Sequence, residues 1–214
     1  MALTKVGSVI DAWAEIAAQG IREGGEADVS GSYDAALLIT AALSSTTAHL
    51  GTEIIVQVSE ETNAGADEEA FFTTIARFIG PVGTAFTRPL LADEAADQTV
   101  LSTDAPVTNN LDHPGKFLFI EDTADVTKSE VLYQIAVSAD ADDTITIAHG
   151  LAYAHVVATS ALWDIDSATA EAVAQWMVQL PASATRARVI YNNNYDSGAA
   201  TVHTRCRLMN TTGL

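Results

Sequence analysis

Short β-patterned runs recurring between turn signals predict an all-β chain, folded as an antiparallel β-sandwich with one or two short helices and a long central loop excursion. Two observations carry that fold class. Ten runs of strand-like composition are bounded by Gly, Pro, Asn, Asp and Ser, and no helical stretches alternate with them as a βαβ fold would require. Several runs also alternate apolar and polar residues with period two, the mark of a sheet buried on one face.

The first thirty residues read as an N-terminal arm. Within them SVIDAWAEIAAQ predicts a short helix, with Ser8 as N-cap, Asp11 three residues on, and Ile10, Trp13 and Ala17 at helical spacing. Strands are then expected at residues 35–43, 53–59, 70–79, 115–120, 131–138, 144–149, 155–162, 176–180, 186–191 and 201–209. In TEIIVQVS, Ile54, Val56 and Val58 share one face and Ile55, Gln57 and Ser59 the other; DDTITIAHG alternates in the same way. DEEAFFTTIARFIG fits a helix through Phe71, Ile75 and Phe78, but its aromatic and Thr content favours a strand. SATAEAVAQW reads as a short helix or the lead-in to a strand. From Gly80 to Lys116 the pattern is broken by Gly80, Pro81, Gly83, Pro89, Pro106, Pro114 and Gly115. A long loop there, within one domain spanning 1–214, is the kind of feature that contacts a neighbour.

Composition narrows the function. With 28 Asp and Glu against 10 Lys and Arg, the net charge of −18 argues against coating nucleic acid, which needs a dominant basic surface. No apolar run reaches the roughly 18 residues of a membrane-spanning helix, and the N-terminus has no uninterrupted apolar core of a signal peptide. A soluble protein made in a cytoplasm is expected. Cys206 is the single cysteine and sits in an alternating strand, so buried packing is its expected role.

No P-loop, G-x-S-x-G, G-x-G-x-x-G or zinc spacing occurs, so neither catalysis nor a cofactor or metal is expected. His149 and His155, six apart, read as ordinary surface residues. The acidic stretches SADADD, WDID and LADEAAD lack the EF-hand pattern, although Asp140, Asp142 and Asp143 could hold a cation weakly at a hairpin tip. The feature above background is basic. Four of seven arginines lie in the last 29 residues, in ARVIYNNNYDSGAATVHTRCRLMN and the residue before it. Arg186 and Arg188 share one strand face, opposite Ala187, Val189 and Tyr191. On the next strand His203, Arg205 and Arg207 project together with Thr201, opposite Val202, Thr204, Cys206 and Leu208. A hairpin pairing the two strands would collect these side chains on one surface, either matched by acidic residues of the same chain or docking onto an acidic partner.

The order of AWAEIA, DVSGSYDAALLITAAL, TEIIVQVSEE, DEEAFFTTIARFIG and the closing ALWDIDSATAEAVAQWMVQLPASATRARVIYNNNYDSG resembles the jelly-roll decoration (cement) and minor capsid proteins of tailed bacteriophages and related viruses. That resemblance implies a jelly-roll-like sandwich and a structural role in the virion, assembled in a host cytoplasm. Its partners would be the major capsid protein or other virion proteins, and the chain would form a homo-oligomer, a trimer by preference, with no nucleic acid or membrane contact. A tail, neck or fibre module and a carbohydrate-binding sandwich are the alternatives. For the last, Trp13, Trp163 and Trp176 would have to lie on a flat sheet face, and they read more naturally as core or interface anchors.

Overall fold

The structure is a computed structural model and describes residues 3–61, 71–103, 115–138, 144–165, 172–193 and 200–213. The chain is nearly all β, as its alternation predicts. Eight main strands make a sandwich: β1 (Leu3–Ile16), β2 (Ile21–Glu23), β4 (Ser32–Leu43), β5 (Thr52–Ser59), β6 (Thr73–Gly80), β13 (Val173–Gln179), β14 (Arg186–Asn192) and β15 (Val202–Gly213). A two-residue strand, β3 (Ala27–Asp28), follows β2 in the same lane beside β14. One sheet runs β1-β15-β4-β13 and the facing sheet β2-β14-β5-β6. All pairings are antiparallel, and the last two strands each insert between earlier ones, so the eight follow the winding of a jelly roll.

The period-two pattern decides what fills the sandwich. Leu37, Ile39, Ala41 and Leu43 of β4 meet Ile54, Val56 and Val58 of β5 and Ala187, Val189 and Tyr191 of β14. Val202, Cys206 and Leu208 complete the core from β15. Each such large side chain contributes about 1.5–3 kcal/mol on burial. Trp176 of β13 stacks on Phe78 of β6, with centroids 5.4 Å apart, and joins the edge strands of the two sheets.

The chain between β6 and β13 builds a third, six-stranded sheet in the order β7-β12-β9-β10-β11-β8. Its strands are β7 (Ala85–Arg88), β8 (Val100–Ser102), β9 (Lys116–Asp122), β10 (Glu130–Ser138), β11 (Thr144–Ile147) and β12 (Ser160–Ile165). One face packs Leu118, Ile120, Leu132, Ile145 and Leu162 against Leu90 and Leu151 of its connections. The opposite face sets Phe119 against Trp13, Ala42 and Val173, on the outer face of the four-stranded sheet. The molecule therefore stacks three sheets.

Three expectations are corrected. Residues 8–19 are not a helix: β1 runs through residues 8–16 as an edge strand paired to β15, and a turn follows. Register shifts between Val9 and Asp11 and between Asp11 and Ala14 put Ile10 and Trp13 three apart on different faces, which imitates helical spacing in the sequence. The region 80–116 is not a structureless excursion, since β7, β8 and the bridges Leu90–Thr103 and Glu94–His155 lie within it; residues 104–114 fall outside the described part. Finally, β14 and β15 do not form a hairpin. They belong to opposite sheets, each paired to strands far earlier in the chain. A 3-10 turn covers Val126–Lys128 and another begins at Asn193; the Ala-rich stretch before Val173 lies largely outside the described residues.

A buried carboxylate ties the edge strand to the facing sheet. Asp11 accepts hydrogen bonds from Gly25 N–H (2.5 Å) and the Tyr191 hydroxyl (3.1 Å), and pairs with Arg22 at 3.3 Å. Arg22 also donates to Thr204 Oγ1 and lies over the Tyr191 ring. A side chain at position 24 would collide with the Asp11 carboxylate, so glycine there permits the close approach.

Candidate functional site: the outer face of the four-stranded sheet

The faces foreseen for the four arginines hold, but the sandwich separates them into two pairs. Arg186 and Arg188 lie on the outer side of the β2-β14-β5-β6 sheet and are satisfied within the chain. Arg186 pairs with Glu26 at 2.8 Å. Arg188 donates to Gln57 at 2.9 Å, approaches Glu23 at 3.9 Å and lies 4.0 Å over the Phe72 ring. Intrachain pairing accounts for this pair.

His203, Arg205 and Arg207 line the outer face of the four-stranded sheet, and their environments change along β15. His203 is buried, 3.0 Å from Glu121 Oε1 across the junction with the six-stranded sheet, while Glu121 Oε2 accepts from the Trp163 indole at 2.6 Å. The His203 ring also packs 5.2 Å from Phe119, whose other neighbour is Trp13 at 5.1 Å. Arg205 lies 4.9 Å over Trp13; burial, then the adjacent Arg207, lowers its pKa. Here the two sheets are held together by aromatic and charged groups.

Beyond Arg205 no sheet of the described residues covers the face. Arg207 is exposed and makes no ion pair or hydrogen bond among the described residues, and the same is true of Lys5 on β1. Around them lie Val9 (56 % exposed), Met209 (48 %) and Met177 (70 %), with the half-buried Leu38 between. Register places Val9, Arg207, Leu38 and Met177 in one row across the four strands. A groove of about 310 Å³ runs beside that row, lined by Lys5, Asp34, Met177, Gln179 and Met209 among others. Asp34 there accepts from the Gln179 amide. Lys5, Val9, Met177 and Met209 were not foreseen, because the edge strand had been read as helix and the β13–β4–β15 register is long-range.

The polar groups elsewhere serve the fold. His155 is fully buried, contrary to the expected surface position: its Nε2 lies 3.0 Å from Glu130, and its Nδ1 3.5 Å from Ser160 Oγ and 4.0 Å from Asp122. The Ser–His–Glu sequence of contacts invites comparison with a nucleophilic triad. Yet the imidazole has no solvent-facing surface, and Glu130 is occupied by the N–H groups of Ala152 (2.8 Å) and Tyr153 (3.0 Å). It pins the loop 148–159 onto β10. His149 is exposed, as expected. Arg88 and Asp164 form a buried pair at 3.1 Å. Cys206 is buried, which pushes its thiol up to about 12. Asp140, Asp142 and Asp143 lie outside the described residues, so the weak cation site falls there too. Among the described residues no group of three or more His, Cys, Asp or Glu is placed to hold a metal ion, and no helix is long and apolar enough to cross a membrane.

No protein-family model matches the chain, and no curated protein does. Among solved structures it is similar to VP17, a capsid protein of bacteriophage P23-77, at 10 % identity over the full length of both chains with a TM-score of 0.19. A score that low does not place the two chains in one fold, and it carries no weight for function.

Proposed function

We propose that the chain is a structural protein of a virus particle, a subunit that binds and stabilises the head shell as a decoration or cement protein does. The observation that carries this reading is the bare half of the four-stranded sheet, an exposed apolar patch with two cations that have no ion pair among the described residues, in a chain of net charge −18. Jelly rolls serve viral capsids, lectins and cupins, and that analogy of fold supplies the menu without choosing from it. The choice rests on the site. The ionisable clusters around His155, Arg88 and His203 are buried and face one another within the fold, which favours a role without catalysis, whereas the bare face is built for contact. Its Met and Val side chains supply apolar area, and Lys5 and Arg207 set orientation against an acidic surface. Partners of that kind are the major capsid protein, other virion proteins or further copies of this chain in a trimer, with no part for nucleic acid or membrane. A subunit that binds only the assembled shell stabilises it by mass action.

The test is quantitative mass spectrometry of purified particles from the virus that encodes the chain. Hundreds of copies per particle support the decoration reading. A handful would move the chain to a tail, neck or fibre position, and absence from particles would end the virion reading.

A second reading, a carbohydrate-binding module, is favoured by one observation. Phe117 and Tyr133 are paired on the six-stranded sheet, 5.2 Å apart and both more than two-fifths exposed, as aromatic sugar platforms are. Glycan-array binding lost on Phe117→Ala and Tyr133→Ala would install it.

A further inference from the structure

The bare corner includes an open sheet edge, and its sequence indicates what closes it. β1 is the edge strand of the four-stranded sheet and, at fourteen residues, longer than the other edge strands. Its second half is flanked by the 3-10 turn, whose Val126 packs with the Trp13 cluster. Its first half has no neighbour on the outer side among the described residues, and residues 5 to 9 are all exposed. Natural edge strands are guarded by charges, prolines, bulges or shortness. Between Leu3 and Val9 there is no proline and no register shift, and Lys5 is the single charge. In a chain with 28 carboxylates, the eight residues from Leu3 to Ile10 carry none.

We infer that this edge pairs with the same edge of a second copy, antiparallel and centred on Val6, so that two four-stranded sheets join into one of eight strands. The sequence selects that register. The unbulged stretch Leu3–Val9 is symmetric about Val6, so a two-fold axis there uses its whole length. Val6 then opposes Val6 of the second copy, Ser8 opposes Thr4, and Lys5 opposes Gly7 rather than another lysine. Centring on Lys5 would set like charges directly opposite, which destabilises a sheet. Centring on Gly7 would bring Leu3 opposite Asp11 and run the pairing into the bulge. The chosen register also continues the exposed apolar surface of Val9, Met177 and Met209 from one copy to the other. An interface of this type is isologous and closes as a dimer.

Charge fixes how the pairing responds to salt. Two copies of net charge −18 repel one another at long range, and that repulsion is screened beyond about 8 Å at physiological ionic strength. The contact itself brings no carboxylates together, so dimerisation strengthens as salt rises. An arginine-to-carboxylate contact responds in the opposite sense.

The experiment is cysteine crosslinking of the full chain, with Val6→Cys and Val9→Cys variants oxidised by oxidised glutathione at high salt. The one native thiol, Cys206, is buried and held protonated, so it stays silent. Across the axis, position 6 meets itself, whereas position 9 meets position 3. The expected result is a disulfide-linked dimer of Val6→Cys and a monomer for Val9→Cys, with unchanged circular dichroism. A monomeric Val6→Cys protein, or equal crosslinking of both variants, overturns the inference. Light scattering of the unaltered chain supplies a second arm: a dimer fraction that grows with salt supports the pairing, and a monomer at every salt concentration removes it. Neither arm depends on the virion reading. A crosslinked dimer from a chain absent from particles keeps the edge pairing and ends the shell role, while a particle protein that never crosslinks does the reverse.

Discussion

The two faces of the four-stranded sheet are made by the same strands and serve opposite ends. On the inner face β4 and β15 alternate Leu37, Ile39, Ala41, Cys206 and Leu208 into a buried core. On the outer face the same strands begin with a buried junction at Ala42 and His203 and finish bare at Leu38, Arg207 and Met209. Strand formation therefore needs only one face. The other is free to hold a second sheet at one end and to remain open at the other, and a stable domain tolerates an open apolar surface when its stability is secured elsewhere.

If that division holds, substitutions on the inner face unfold the protein and those at the bare end do not. The largest effect is expected from Ile39→Ala, which leaves a cavity between the sheets and costs about 2–5 kcal/mol in denaturant unfolding. Asp11→Ala comes next. It strands Arg22, the Tyr191 hydroxyl and the Gly25 N–H in the sandwich rim, for a loss of about 3 kcal/mol. An effect within measurement error at position 11 would mean that the edge strand is held by its ladder with β15 alone.

Much of this division was legible in the sequence, and the failures have one physical source. Alternation in TEIIVQVS, in ARVIY and in VHTRCRL assigned inward and outward residues correctly, because period two survives wherever one face is buried. Pairing is a different matter. Strands β14 and β15 are adjacent in sequence and carry suggestive arginines, yet each finds partners more than 120 residues earlier, which no local pattern records. β1 misled for a further reason: its two bulges break the alternation, so Ile10, Trp13 and Ala17 took on helical spacing. Within the insertion between β6 and β13, alternation revealed β9, β10 and β11, whereas β7 and β8 were visible only as a loss of pattern, since Pro and Gly conceal strands that short.

At the junction between sheets the effects are smaller. Glu121→Ala removes the acceptor of the part-buried Trp163 indole and the carboxylate 3.0 Å from the buried His203 ring, for about 1–3 kcal/mol. Glu94 offers a test through pH. Its carboxylate is buried, which raises its pKa against the opposing Ser102 N–H bond. The folded state then binds the proton more tightly than the unfolded chain, so this group's contribution to stability falls as pH rises from its unfolded pKa through its folded one. Glu94→Gln keeps an acceptor for Ser102 and removes the charge. The variant should match or exceed the parent's melting temperature at pH 7, and the advantage should vanish below the carboxylate range; a lower melting temperature at pH 7 would show that the charge is solvated after all.

The smallest expected effect on stability is the most informative about function. Lys5→Glu with Arg207→Glu changes two exposed side chains that have no ion pair or hydrogen bond among the described residues, so unfolding should shift by about 0.5 kcal/mol or less. Association should respond far more strongly. Contact with an acidic partner would be lost and replaced by repulsion, and the loss should be greatest at low salt, where charge reaches furthest. The same change at Arg186 and Arg188 inverts the pattern: it breaks pairs with Glu26, Gln57 and Glu23, and so acts on the fold while leaving the bare corner untouched. A double variant at positions 5 and 207 that unfolds readily would erase the distinction between the two faces. One that stays folded and no longer binds shells would show that the bare end of the sheet exists for its partners.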